Sequence, residues 1–228
     1  MKAAILAGGL GKRLRPLTDD RPKPMIEVSG TPILGWQIAW LASHAISDIV
    51  LCTGYMRESI FNYVGNGSKF GVRVGYVTED EPLGTGGALK NAESLLRNEE
   101  SFFVLNGDVL TNLDPNRLVR VLGDEAVGAI ATVPLRSPFG IVDAGEDGQI
   151  TGFREKPVLE NYWINAGVYC LSSSILAGLQ RVGDLESEVF PQLVRERSLR
   201  TVRYSDTHWR SIDSHKDIDE AAKELEKT

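Results

Sequence analysis

Ala3-Ala4-Ile5-Leu6-Ala7-Gly8-Gly9-Leu10-Gly11-Lys12-Arg13 runs from apolar residues into glycines and then into two cations. Residues 3–7 show no apolar–polar alternation, so they read as a strand buried on both faces. Glycines directly after such a strand let backbone N–H groups approach an anion, because no Cβ stands in the way. Residues 48–53 and 102–106 are predicted strands of the same kind. Between them lie helix signals. Thr31 stands where a cap would, with Pro32 at the first helical position and Ile33, Leu34, Ile38 and Leu41 at helical spacing. Residues 88–96 and 113–122 behave similarly. Strand alternating with helix predicts an α/β fold: a Rossmann-like mixed, mostly parallel sheet flanked by helices, with ligands beyond the carboxyl ends of the strands.

Farther along, residues 140–143 and 150–154 read as a hairpin turned at Glu146-Asp147-Gly148-Gln149. Residues 163–171 are a further strand and 214–227 a charged closing helix. No repeat and no Pro/Gly/Ser-rich linker interrupts the pattern, so one mixed domain is expected.

The 228 residues are 42% hydrophobic and 25% charged, a globular balance long enough to bury a core without disulfides. Lys and Arg number 25 against 31 Asp and Glu, a formal charge of -6 that offers no global field to nucleic acid or an anionic membrane. No apolar run nears the ~20 residues of a membrane span, and the N-terminal run is too short for a signal peptide. Cys52 and Cys170 sit in apolar stretches and read as core thiols of a cytoplasmic protein. Against the overall charge, residues 1–24 hold six cations (Lys2, Lys12, Arg13, Arg15, Arg21, Lys23) and two acids (Asp19, Asp20). A cationic surplus on glycines at a strand's end suits a polyphosphate. The loop is no dinucleotide fingerprint, since Leu14 stands at the third glycine and Cys52-Thr53-Gly54 where an acid belongs. Nor is it a Walker A loop, which needs Ser or Thr where Arg13 follows Gly11-Lys12.

The loop, extended through Leu14-Arg15-Pro16-Leu17-Thr18 and Pro22-Lys23-Pro24-Met25, resembles the signature of sugar-1-phosphate nucleotidylyltransferases. The resemblance continues through Glu81-Pro82-Leu83-Gly84-Thr85-Gly86-Gly87-Ala88, Asn106-Gly107-Asp108, Phe153-Arg154-Glu155-Lys156-Pro157 and Asn165-Ala166-Gly167-Val168-Tyr169. The run before Ala88 looks most like short mannose- or heptose-1-phosphate guanylyltransferases.

What the resemblance implies is a glycosyltransferase-A-like nucleotidyltransferase fold over residues 1–228, without the C-terminal left-handed β-helix of many relatives. It also implies transfer of a nucleotidyl group from an NTP to a sugar-1-phosphate, with Mg²⁺ and with pyrophosphate leaving. Arg13 would clamp the triphosphate and Lys23 would sit near the α-phosphate. Leu6, Ala7, Gly8, Gly9, Gly11, Gly84 and Thr85 would border the nucleotide. Glu79 stands where thymidylyl enzymes carry a base-pairing Gln, and an acceptor-only carboxylate suits the N–H donors of guanine, so GTP is expected. Gly140, Glu155, Lys156, Asn165 and Gly167 would form the sugar-phosphate pocket.

Asp108 and Asp213 would hold the metal. Here the sequence departs from the commonest pattern, Trp-x-Asp-Ile-Gly-Thr: Trp209-Arg210-Ser211-Ile212-Asp213-Ser214 puts Ser211 at the usual Asp, and Asp213 would reach the metal because strand residues two apart share a face. The alternatives are a thymidylyl-, uridylyl- or cytidylyltransferase, or a non-catalytic sugar-nucleotide-binding subunit. No nucleic-acid or membrane partner is expected, and a homo-oligomer stays open.

Overall fold

Residues 1–123 and 125–225 are described by a computed structural model. In its first half the principal elements are β1 (Lys2–Ala7), α1 (Ile33–Ser43), β2 (Asp48–Thr53), α2 (Arg57–Val64), β3 (Arg73–Thr78), α3 (Gly84–Asn91) and β4 (Ser101–Asn106). Next come β5 (Val109–Thr111), α4 (Asn116–Leu122), β6 (Gly128–Arg136), β7 (Ile141–Ala144), β8 (Ile150–Arg154) and β9 (Val158–Ser172). The last are α5 (Phe190–Arg195), β10 (Leu199–Arg203), β11 (Trp209–Ser211) and α6 (His215–Leu225).

Seven strands pair in the order β10-β6-β9-β4-β1-β2-β3. β9 runs antiparallel to both neighbours and every other pair is parallel, as a mixed, mostly parallel α/β sheet requires. From β1 the chain builds outward to β2 and β3, then crosses to β4 on the other side. That reversal opens a crevice at the carboxyl ends of β1 and β4, the place where such sheets bind ligands.

Alternate residues of β1 feed two cores. Ala3, Ile5 and Ala7 pack with Leu34, Ile38 and Leu41 of α1, while Ala4 packs on the opposite face with Leu89 of α3 and Phe190 of α5. Burial on both faces explains why the strand runs lacked alternation. A smaller cluster, with Leu14, Ile26, Ile33, Leu110 and Ile212, sits under the glycine loop and anchors α6. Cys52 and Cys170 are free and buried.

Several expected boundaries move. Thr31 does not cap α1, because Thr31–Pro32 pairs with Glu27–Val28, and the Ile33 N–H is taken by the Ile26 carbonyl at 2.9 Å. The helix expected over 88–96 starts at Gly84, and a separate turn covers Glu93–Leu96. Glycine-rich sequence is a poor helix former, but the Gly183 carbonyl accepts from Gly86 and Gly87 at 2.9 and 3.0 Å. α4 starts later than expected, after Pro115. β9 is longer than expected, with register shifts between Leu159 and Trp163 and between Asn165 and Tyr169. The hairpin forms as β7 and β8. Residues 226–227 of the expected closing helix lie outside the described residues. Among the described residues no helix is long and apolar enough to cross a membrane.

Candidate active site

The glycine loop leaves β1 at the crevice and is pinned on both sides. Gly11 has φ +59°, and a Cβ there would stand 2.8 Å from Thr18 Cγ2 and 3.0 Å from Lys23 Cβ. The buried Thr18 hydroxyl donates to the Gly11 carbonyl at 3.0 Å. Leu14 is fully buried just beyond, while Lys12 and Arg13 stay exposed in the turn between. Lys23 enters from a second short turn, Lys23–Met25, set by the buried Pro22 and Pro24.

Gly107 lets β4 close against β1. Its N–H donates to the Leu6 carbonyl at 3.0 Å, and a Cβ would collide with that carbonyl oxygen. Asp108 follows at once. Beneath this turn Gln37 of α1, 3% exposed, donates through Nε2 to the Asn106 and Val109 carbonyls at 2.8 and 2.9 Å, bracketing Asp108. Asp213 arrives from the other side. β11 ends at Ser211, so strand alternation does not carry Asp213 to the site. The turn does: the Ile212 N–H donates to the Asp108 carbonyl at 2.9 Å, and the buried Ile212 side chain anchors it. Ser211, at the usual position of an Asp, donates to Asp213 Oδ2 at 2.9 Å.

These elements bring the charged groups together. Lys23 Nζ lies 2.6 Å from Asp108 Oδ2 and 2.8 Å from Asp213 Oδ1, and Arg13 Nη2 lies 3.0 Å from the same Asp213 oxygen. Burial pushes the Asp213 carboxyl up, but Lys23, Ser211 and Arg13 outweigh it and hold the group below the ordinary 3.8. Arg13 is 77% exposed, so its pair with Asp213 contributes little to stability.

Leu6, Gly8, Gly9, Gly11, Lys12, Arg13, Lys23, Glu79, Gly84, Thr85 and Asp108 line one cleft of about 490 Å³, within the range of small-molecule sites. Ala7 is fully buried behind it and does not line it. Glu79 packs where a Cβ on Gly8 or Gly54 would stand, so those glycines make room for its carboxylate. Burial raises the Glu79 carboxyl above its ordinary 4.5, opposed by a hydrogen bond from the Leu83 N–H.

The five residues expected around the sugar lie outside the cleft lining. Gly140 sits against Phe153 and Glu155 at the base of the hairpin, and Glu155 pairs with the neighbouring Lys156 at 3.4 Å on the surface. Asn165 and Gly167 form the bulge in β9, where the Gly167 N–H donates to Asn165 Oδ1 at 2.9 Å. Gly167 has φ +68°, and a Cβ would stand 3.0 Å from Asn106 Nδ2, which places the bulge behind the cleft wall. Sequence reasoning missed Gln37. The signal was legible: it is a polar residue three positions after Leu34 and four before Leu41, on the apolar face of α1.

The nucleotidyl transferase family pattern matches residues 2–228. A mannose-1-phosphate guanyltransferase of Emericella nidulans is 36% identical over 227 residues, which cover 96% of this chain and 62% of that protein. A mannose-1-phosphate guanylyltransferase of Mycobacterium tuberculosis is 34% identical over 225 residues, 95% and 62% of the two chains. The chain thus spans about 62% of the length of these curated relatives. The solved structure of HddC from Yersinia pseudotuberculosis complexed with GMP-PN shares the fold, with TM-score 0.78 and 27% identity over 98% of this chain and 99% of that one. A switch-point cleft edged by glycines and cations, under a sequence pattern that runs from the second residue to the last, makes this chain a member of the nucleotidyl transferase family.

Proposed function

We propose that the chain transfers a guanylyl group from GTP to a mannose- or heptose-type sugar-1-phosphate, forming a GDP-sugar and releasing pyrophosphate. The observation that carries this reading is Lys23, one ammonium held at 2.6 and 2.8 Å by two carboxylates in a glycine-lined cleft. Phosphoryl-type transfer asks the protein for alignment and charge neutralisation more than for covalent help. Gly8, Gly9 and Gly11 offer backbone N–H groups at the end of β1. Arg13 suits the triphosphate, because its planar fork meets two oxygens at once. Lys23 presents a compact charge for the α-phosphate and the incoming sugar phosphate, where negative charge develops in the transition state.

Asp108 and Asp213 would hold Mg²⁺, which when bound would supply positive charge to offset that of the phosphates. The residues fit such an ion. Two hard carboxylate oxygens already share one cation, Lys23, and Mg²⁺ takes hard oxygen ligands.

Glu79, an acceptor with Leu6, Gly84 and Thr85 on the same cleft, favours guanine, whose pairing edge offers N–H donors. The guanyltransferase names of the relatives and the GMP-PN complex of HddC support the same base. Gly140, Glu155, Lys156, Asn165 and Gly167 are assigned to the sugar phosphate, with Glu155 accepting hydroxyls and Lys156 meeting the phosphate. Residues 1–228 are taken as one catalytic unit acting in the cytoplasm, where two buried free thiols stay reduced.

The test is pyrophosphate release with GTP, dTTP, UTP and CTP against mannose-, heptose- and glucose-1-phosphate, each with Mg²⁺ and with EDTA. GTP with a mannose- or heptose-type acceptor is expected to lead by at least about tenfold in kcat/KM, with release lost in EDTA. A preference for dTTP removes the guanine argument. No release in any combination, alongside tight nucleotide-sugar binding, makes the chain a binding subunit.

A further inference from the structure

Leu185–Val189 is one wide turn of π-helix, a conformation that is rare and concentrated at functional sites. It docks on the loop that opens α3. Besides the Gly183 carbonyl already described, the Thr85 N–H donates to Asp184 Oδ1 at 3.0 Å, and the Gly183 N–H donates to the Leu83 carbonyl at 2.9 Å. Thr85 Oγ1 accepts from the Leu185 N–H at 2.8 Å and donates to Glu186 Oε2 at 2.6 Å.

The other Glu186 oxygen, Oε1, accepts from the Tyr169 hydroxyl at 2.9 Å. That hydroxyl accepts from Asn165 Nδ2 at 2.8 Å, and Asn165 Oδ1 holds the Gly167 N–H at 2.9 Å. Thr85, Glu186, Tyr169 and Asn165 therefore form an unbroken path from the cleft wall to the bulge in β9. Each step has a fixed direction. Tyr169 is fully buried, and burial together with the Glu186 charge holds its phenol well above the ordinary 10.0, so it stays a donor.

Glu186 is half-buried, and each of its carboxylate oxygens accepts from a hydroxyl on a different element, Thr85 on α3 and Tyr169 on β9. Both ends of the path lie at positions assigned to substrate.

We propose that Glu186 is a positioning residue that couples the Gly84–Thr85 loop to the Asn165–Gly167 bulge, so that a nucleotide in the cleft tightens binding of the sugar-1-phosphate. The identity of the second ligand rests on the guanylyl-transfer reading; the link itself does not.

Hydrogen exchange reads the link without turnover. In the wild type, GTP slows exchange of the amides at 165–169 as well as those at 8–13. In Glu186→Gln the slowing at 8–13 remains and that at 165–169 is lost, because the amide offers one acceptor oxygen where the carboxylate serves two donating hydroxyls, so the bond to Thr85 or to Tyr169 is broken or reversed. In steady state, Glu186→Gln raises the mannose-1-phosphate KM about tenfold at saturating GTP, a coupling of ordinary size, while the Kd of GTP alone moves less than about threefold.

Thr85→Val and Tyr169→Phe both keep side-chain volume. Their effects on that KM are non-additive, with the double variant within about twofold of the worse single one. Additive effects, an unchanged KM in Glu186→Gln, or no exchange response at 165–169 in the wild type overturns the link. An intact exchange response without turnover sinks the catalytic reading and leaves the link standing.

Discussion

Lys23 is the residue on which the proposed guanylyl transfer turns, and its environment dictates how its loss must look. It neutralises two carboxylates in the structure, and under the proposed reaction it would meet charge that grows in the transition state. Lys23→Ala is therefore expected to lower kcat by about 10²–10³-fold while the Kd of GTP changes less than about tenfold. Rapid-quench turnover and calorimetry on the same variant decide it, and equal losses in both contradict the role.

Glu79 gives a second test, this time of stability. A carboxyl raised by burial favours folding fully below its ordinary 4.5, and that contribution is lost as pH rises through the raised value. Glu79→Gln removes the buried charge but keeps an acceptor for the Leu83 N–H. Its Tm should exceed that of the wild type at pH 7 to 8, with the gap closing toward pH 4; a gap independent of pH would rule out desolvation as the cause. Both residues were named in the sequence through the family resemblance, Lys23 within Pro22-Lys23-Pro24-Met25 and Glu79 at the place of a base-pairing Gln. Glu186 was not, because nothing local marks a glutamate that serves two hydroxyls 17 and 101 positions away.

At the scale of elements, two glycines with similar backbone serve opposite ends. Gly167 has φ +68° and would drive a Cβ to 3.0–3.1 Å from Asn106 and Val109, whereas Gly148 has φ +81° with nothing within 4 Å. Gly167→Ala is expected to destabilise by ~1–3 kcal/mol, and Gly148→Ala by only the strain of a left-handed residue, ~1 kcal/mol. Urea unfolding compares them directly, and equal costs would mean that packing behind the cleft adds nothing. The strands and the hairpin were readable because burial on two faces and a Gly-containing turn leave local patterns. The start of α3 was not, since its glycines take helical form only when the Gly183 carbonyl, about a hundred positions on, accepts their N–H groups.

Across the whole molecule, both thiols report on global opening. Burial pushes Cys52 up to about 12 and Cys170 up to about 11, so neither forms thiolate at neutral pH while folded. Ellman's reagent should label neither quickly in buffer and both in denaturant; a fast native thiol would mean that one sheet face opens locally. The sequence by itself determined the α/β alternation, the glycine loop, the kinds of charged group available and the family they resemble. Each rests on neighbouring residues, and periodicity records neighbours. Tertiary structure alone decided which of those charges act together. Arg15 turns to Asp19 and Arg21 to Asp20, and Lys2 pairs with Glu99, which leaves Lys12, Arg13 and Lys23 on the cleft. Asp213 reaches Lys23 through a turn braced on Asp108, and Gln37, 69 residues from Asn106, holds the Asn106–Val109 turn that carries Asp108. Strand order in the sheet sets these distances, and strand order is fixed by which buried faces can be covered at once.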